Sequence, residues 1–215
     1  MGKYIRELLS RMPELEPLSD RMQEGAALIV SAVKNGHKLL TCGNGGSAAD
    51  AEHIVGELMK GFLLKRPLTE QQRSRLRNAG CPESLVGSLQ QGVPAISLVA
   101  GIALPTAFGN DVCPELVFAQ QVFALGEKGD VLIAISTSGN SKNVLDAILV
   151  AKANGVSVIG MTGASGGAMQ SLCDILITAP SASTFRIQEY HLPIYHALCA
   201  DIEAALYDSS EDFPL

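Results

Sequence analysis

Three glycine- and hydroxyl-rich stretches in this sequence have the composition of anion-binding turns. They are Cys42-Gly43-Asn44-Gly45-Gly46-Ser47, Ser136-Thr137-Ser138-Gly139-Asn140-Ser141 and Thr162-Gly163-Ala164-Ser165-Gly166-Gly167. Small residues at a strand-to-helix turn leave backbone N–H groups and hydroxyls free to grip an anion, and the helix dipole adds to the attraction. Ser47 and Ser141 would serve equally as caps of the helices they precede, and for one such loop capping is the better reading. Ser136, Thr137, Ser138 and Ser141 crowd four hydroxyls into six residues, which favours a phosphate. Neither of the first two loops fits the GxGxxG fingerprint or a Walker sequence ending in GK[ST], so no nucleotide cofactor is expected.

Protic side chains follow at helical spacing. His53 and Glu57 lie four apart behind the first loop and share one helix face. Such a pair suits a metal ion, yet taken alone it reads more readily as a solvated glutamate and a satisfied histidine. Near the C-terminus Gln188, His191 and His196 fall on one long helical stretch. Gln188 and His196, eight residues apart, would reach one pocket only from a curved or tilted helix.

The elements that must carry these groups alternate. Apolar, β-branched runs bounded by Gly, Asp or Asn predict strands at Lys38–Cys42, Ala95–Val99, Val131–Ser136, Val156–Met161 and Ile175–Ala179. Helical patterns fall at Arg21–Asn35, Ser47–Phe62, Glu115–Leu125, Ser141–Asn154 and Arg186–Tyr207. Alternation of this kind implies an α/β fold with a parallel sheet covered on both faces, and ligands then gather at the carboxyl ends of the strands. Residues 65–92 interrupt the rhythm with Lys65, Arg66, Arg73, Arg75 and Arg77 against only Glu70 and Glu83. A connection there usually needs only a few residues. A solvated insertion holding a short helix is the preferred reading over a functional basic lid.

Composition removes whole classes of function. The 215 residues suit one domain, and 47% hydrophobic content supports a sizeable core. A net charge of −6 argues against nucleic acid and anionic membrane as partners, since both need a positive face. The absence of Trp and an aromatic content of 5% remove the stacking platforms of single-strand binders. The N-terminus lacks the apolar core of a secretory signal. The longest apolar stretch, Val93–Phe108, contains two prolines and falls short of the ~20 residues of a membrane span. Five widely spaced cysteines without a CxxC pair read as reduced thiols, so a cytoplasmic location is expected.

Together the runs CGNGGSAADAEH, ISTSGNS and RIQEYH…H resemble the sugar isomerase (SIS) family and, within it, the phosphoheptose isomerases, from about the second helix to the C-terminus. The resemblance implies a single SIS domain over 1–215, with an N-terminal helical region at about 1–36 and the 65–92 insertion. Its fold would be a flavodoxin-like three-layer sandwich on a five-stranded parallel sheet. The chain would form a homotetramer with active sites at subunit boundaries. Asn44, Gly45, Gly46, Asn110 and Asp111 would hold the sugar, and Ser136, Thr137, Ser138 and Ser141 its phosphate. His53, Glu57, Gln188 and His196 would line the reaction centre and bind zinc, one ion per subunit. Glu57 and His196 would be the catalytic acid–base groups, with Glu57 and Gln188 also touching the phosphosugar substrate. The implied reaction turns sedoheptulose 7-phosphate into an aldose phosphate through an enediol, feeding heptose precursors for surface glycans. Two alternatives stand beside it. One is an isomerase of another phosphosugar; the other is a non-catalytic regulator similar to the DnaA-initiator-associating proteins, which keep RIQE but lack the terminal histidine present here as His196.

Overall fold

The computed structural model describes residues 2–208. Five parallel strands, β1 (Leu39–Gly43), β2 (Ala95–Ser97), β3 (Val131–Ile135), β4 (Ser157–Gly163) and β5 (Ile175–Ala179), form one sheet in the order β2-β1-β3-β4-β5. β1 and β3 are buried along their whole length. That explains their continuous apolar runs, which a half-exposed strand would replace with alternation. The order reverses between β1 and β3, so the crevice for a ligand opens where their carboxyl ends part. Both hydroxyl-rich helix-entry loops stand at that point.

One face of the sheet carries α1 (Lys3–Arg11), α2 (Ser19–Lys34), α3 (Gly46–Leu58) and α9 (Thr184–Tyr207), whose apolar sides form one core with Leu39, Ile133, Ile159 and Ile177. The other face carries α7 (Val117–Leu125) and α8 (Lys142–Ala153) over Leu40, Leu132 and Val158. This is the expected three-layer arrangement. The backbone amides of Tyr4 and Ile5 donate to the Asp201 carboxylate at 2.9 and 3.1 Å, tying the start of α1 to α9. Of the apolar stripe on α9, Ile194, Leu198 and Ile202 are buried in the chain's own core, and Leu192 is left exposed.

Three departures from the sequence reading have physical causes. Residues 65–92 contain two helices, α4 (Glu70–Asn78) and α5 (Glu83–Ser88), in place of one. A complete capping box starts α4, with Thr69 and Gln72 exchanging side-chain and backbone bonds. Arg66 is not solvated: it is 1% exposed, and its Nε donates to Glu203 at 2.7 Å while its Nη1 donates to the Leu58 carbonyl at 2.6 Å. The first turn after α3 therefore folds into the core; of the later part, α4 buries nothing and α5 buries Val86. Finally, α6 (Ala103–Asp111) forms with no buried residue, so it lacks the apolar periodicity by which a helix is recognised.

Candidate active site

The β1 loop passes directly into α3. Gly45 takes φ of +57°, open to glycine without strain. At Gly46 a Cβ would collide with the Gln188 amide, so the missing side chain is what lets α9 lay Gln188 against the N-terminus of α3. Across the switch point the side-chain amides of Asn44 and Asn143 bond reciprocally at 2.9 and 2.8 Å. This pair fastens the β1 loop to the first turn of α8. A cleft of about 380 Å³ opens beside it, lined by Asn44, Gly45, Leu98, Pro105, Phe118 and Asn143 among others.

The β3 loop holds its hydroxyls together. Ser136 Oγ lies 2.9 Å from Ser141 Oγ and 3.5 Å from Ser138 Oγ, and the Asn140 amide donates to Ser138 Oγ at 3.1 Å. Gly139 has φ of +66°, and a Cβ there would meet the Gly166 carbonyl, so the third hydroxyl-rich stretch packs beneath the second. Ser141 is the N-cap residue of α8 but makes no side-chain capping bond. Its hydroxyl is turned to Ser136, which disposes of capping as its role. Thr137 and Ser141 are half-buried and Ser138 is exposed. Asn110 and Asp111 close α6, exposed and bonded to each other at 2.8 Å.

Farther along α3 the protic groups gather. His53 Nε2 lies 3.0 Å from Glu57 Oε1 and 3.5 Å from His196 Nε2, while Lys60 donates to Glu57 Oε2 at 2.8 Å. Burial works to raise the Glu57 carboxyl, but the hydrogen bonds and charges of Lys60 and His53 outweigh it and hold the group below its ordinary value. His196 is lowered, first by burial and then by His53, against the pull of Glu57. At neutral pH the site thus contains a carboxylate beside a neutral imidazole. His196 also lines a second cleft of about 290 Å³ with Tyr4, Glu7 and Arg11 of α1. His191, by contrast, is fully buried and meets the Thr162 carbonyl through Nε2 at 3.3 Å.

The donor set suits zinc: two imidazole nitrogens and a carboxylate, with separations of 3.0 and 3.5 Å. Ligands around a tetrahedral zinc at about 2.0–2.1 Å stand about 3.3 Å apart. They are arranged here as bonded pairs, and among the described residues no three His, Cys, Asp or Glu side chains already surround one point that would hold a metal ion. Gln188 is not with them. α3 and α9 run side by side with Gly46 against Gln188 and His53 against His196. The eight residues from Gln188 to His196 cover about 12 Å of helix. Sequence reasoning passed over Asp50, Asn143 and Tyr195. Asn143 sits two residues past the hydroxyl loop, which is a usable signal; Asp50 and Tyr195 meet only in the fold.

The SIS domain profile matches residues 3–85 and 84–163. Phosphoheptose isomerase 2 of Campylobacter jejuni is 43% identical over 89% of this chain and 84% of its own. The phosphoheptose isomerase of Thiobacillus denitrificans is 38% identical over 98% of this chain and 96% of its own. Among solved structures, the phosphoheptose isomerase of Neisseria gonorrhoeae superposes with a TM-score of 0.73 at 34% identity, covering 93% of this chain and 94% of that one.

Proposed function

The chain belongs to the SIS domain family, among the phosphoheptose isomerases, and from that premise we propose that it interconverts sedoheptulose 7-phosphate and D-glycero-D-manno-heptose 7-phosphate. The observation that carries the reading is the meeting of His53, Glu57 and His196 at 3.0 and 3.5 Å on two parallel helices. Aldose–ketose isomerisation moves a proton between C1 and C2 through an enediol. It needs one base for the carbon-bound proton and a second group for the protons on oxygen. Glu57, kept ionised chiefly by Lys60, begins in the state a base requires. His196, neutral and beside it, carries the oxygen-bound protons. Ser136, Thr137, Ser138 and Ser141 take the phosphate dianion, with Asn44, Gly45, Gly46, Asn110 and Asp111 around the sugar. That grip, remote from the bond change, orients C1 and C2. His53, Glu57 and His196 would hold zinc, one ion per subunit, which when bound would stabilise negative charge on the substrate oxygens; Gln188, against Gly46, falls on the sugar side of the site instead.

Assembly is part of the proposal. Glu57 lies eleven residues beyond Gly46, about 16 Å along α3 at about 1.5 Å per residue. The sugar-holding loop and the acid–base cluster of one chain therefore stand apart along α3. A homotetramer with sites at subunit boundaries brings one chain's phosphate loop to another's acid–base cluster. Five free cysteines support a reducing cytoplasm as its place of action. No helix among the described residues is long and apolar enough to cross a membrane. Incubating the purified protein with sedoheptulose 7-phosphate or a pentulose 5-phosphate, followed by anion-exchange chromatography, tests the activity. The aldose phosphate is expected from the heptulose at a rate at least tenfold above the pentulose. A preference for the pentulose would reassign the substrate, and no product from either would leave a regulatory role.

A further inference from the structure

We propose that Asp50 and Tyr195 are a positioning pair that fixes the His53 ring in its Nδ1–H tautomer and so turns an unprotonated Nε2 toward Glu57 and His196. The inference rests on reading these three as the reaction centre. Its test is read on the His53 ring without turnover, so the two readings can fail separately.

Tyr195 is 1% exposed, and its hydroxyl lies 2.8 Å from His53 Nδ1 and 3.3 Å from Asp50 Oδ1. A phenol has one hydrogen to give, and a carboxylate can only accept. If Tyr195 donated to Nδ1, the ring proton would sit on Nε2 and Asp50 would have no donor at either oxygen, since its Oδ2 is already buried without a partner. If Tyr195 donates to Asp50, the Nδ1–H donates in turn to the phenol oxygen, and only Oδ2 stays unpartnered. The side chain of His53 is 40% exposed, so a bare Nε2 still finds water. The first arrangement would gain an Nε2–H bond to Glu57 Oε1 at 3.0 Å, but Glu57 already accepts from Lys60 and water reaches both side chains. Asp50 is half-buried with Oδ2 shielded; without Tyr195 it would have no protein donor at all, and this favours the second arrangement. The pair also sets the ring's direction, because Tyr195 packs edge-on to His53 at 5.4 Å and to His196 at 5.0 Å between centroids.

The consequence is chemical. His53 Nε2 and Glu57 Oε1, 3.0 Å apart, then both present lone pairs, which makes the space between them a seat for a proton or a cation. Lys60 then remains the donor that keeps Glu57 ionised, through Oε2, and Oε1 is available to take a proton from substrate.

Full-length protein carrying ¹⁵N-histidine, freed of metal by chelation and held at pH 8.5, reports the tautomer through long-range ¹H–¹⁵N correlations. Loss of one ring's signals in His53→Gln assigns them. Wild type is expected to show Nδ1–H at His53. Tyr195→Phe, which keeps the ring packing, and Asp50→Ala, which removes the acceptor, are each expected to move the proton to Nε2. Asp50→Asn, which still offers an oxygen to Tyr195, should keep Nδ1–H. An Nε2–H ring in wild type would overturn the proposal, as would a tautomer indifferent to both Tyr195→Phe and Asp50→Ala.

Discussion

Ser136, Ser138 and Ser141 show how much a single side chain discloses by its type. Small hydroxyls clustered before a helix suggest an anion site, and in the structure their oxygens face one another, at 2.9 and 3.5 Å from Ser136 Oγ. On the proposed reading, removing the Ser138 and Ser141 hydroxyls together would delete two donors to the phosphate dianion while leaving Glu57 and His196 in place. Each charge-assisted bond is worth about 1.5–3 kcal/mol. Titration calorimetry of Ser138→Ala/Ser141→Ala with sedoheptulose 7-phosphate, in a Glu57→Gln background that blocks turnover, should show affinity at least a hundredfold lower. Unchanged affinity would move the phosphate elsewhere. His53 and Glu57 were less legible. Their spacing of four suited both a metal site and a solvated face, and what tells against the solvated face is His196, 143 residues away. Asp50 and Tyr195 gave no signal, since a contact between residues 145 apart leaves no local pattern.

At the scale of elements, the five strands and the buried helices were legible because burial writes periodicity into sequence. β5 matches its expected bounds, and the other strands agree to within a few residues at either end. Of the short helices, α1 falls in the N-terminal helical region the resemblance implied, while α6 was not foreseen and buries nothing in its own chain. Without a core to face, such a helix has no apolar stripe to show. Arg66 was misread for the opposite reason. Charge in a basic stretch suggests solvent, but here the Glu203 carboxylate accepts from Arg66 Nε and from the amides of Phe62, Leu63 and Leu64. A buried charge is tolerated only when paired and bonded in this way. The knot closes the carbonyl end of α3, one residue past Glu57, and joins it to α9. The alignment of α3 with α9, which seats His53 against His196, is thus held at both ends: by Gln188 on Gly46 and by Arg66 on Leu58 and Glu203.

For the whole molecule, the proposed tetramer would need apolar surface to bury. Ile102 is 82% exposed, Phe123 69% and Val112 67%, all on or beside α6 and α7. With Phe185, Met59, Leu63 and Leu149, each also more than half exposed, they are the apolar area a neighbour would cover, while Ile194, Leu198 and Ile202 of α9 are spent on the chain's own core. Light scattering at micromolar concentration should give four times 22.6 kDa, and a monomer mass would remove the shared site. Exposed apolar positions at the ends of an otherwise unburied helix cannot be told from solvent-facing loops in sequence, which is why the resemblance and not periodicity pointed to the assembly.

The central claim is that Glu57 takes a proton from carbon in an isomerase reaction. Solvent exchange reads that step directly. Sedoheptulose 7-phosphate incubated with the wild-type protein in deuterium oxide should gain deuterium at C1 or C2, visible by mass and by NMR. Glu57→Gln keeps the shape and loses the basicity, so it should leave the sugar unlabelled, with turnover down by two or more orders of magnitude, within the range of general base catalysis. Deuterium entering the sugar at the wild-type rate in Glu57→Gln would show another group to be the base and would contradict the account.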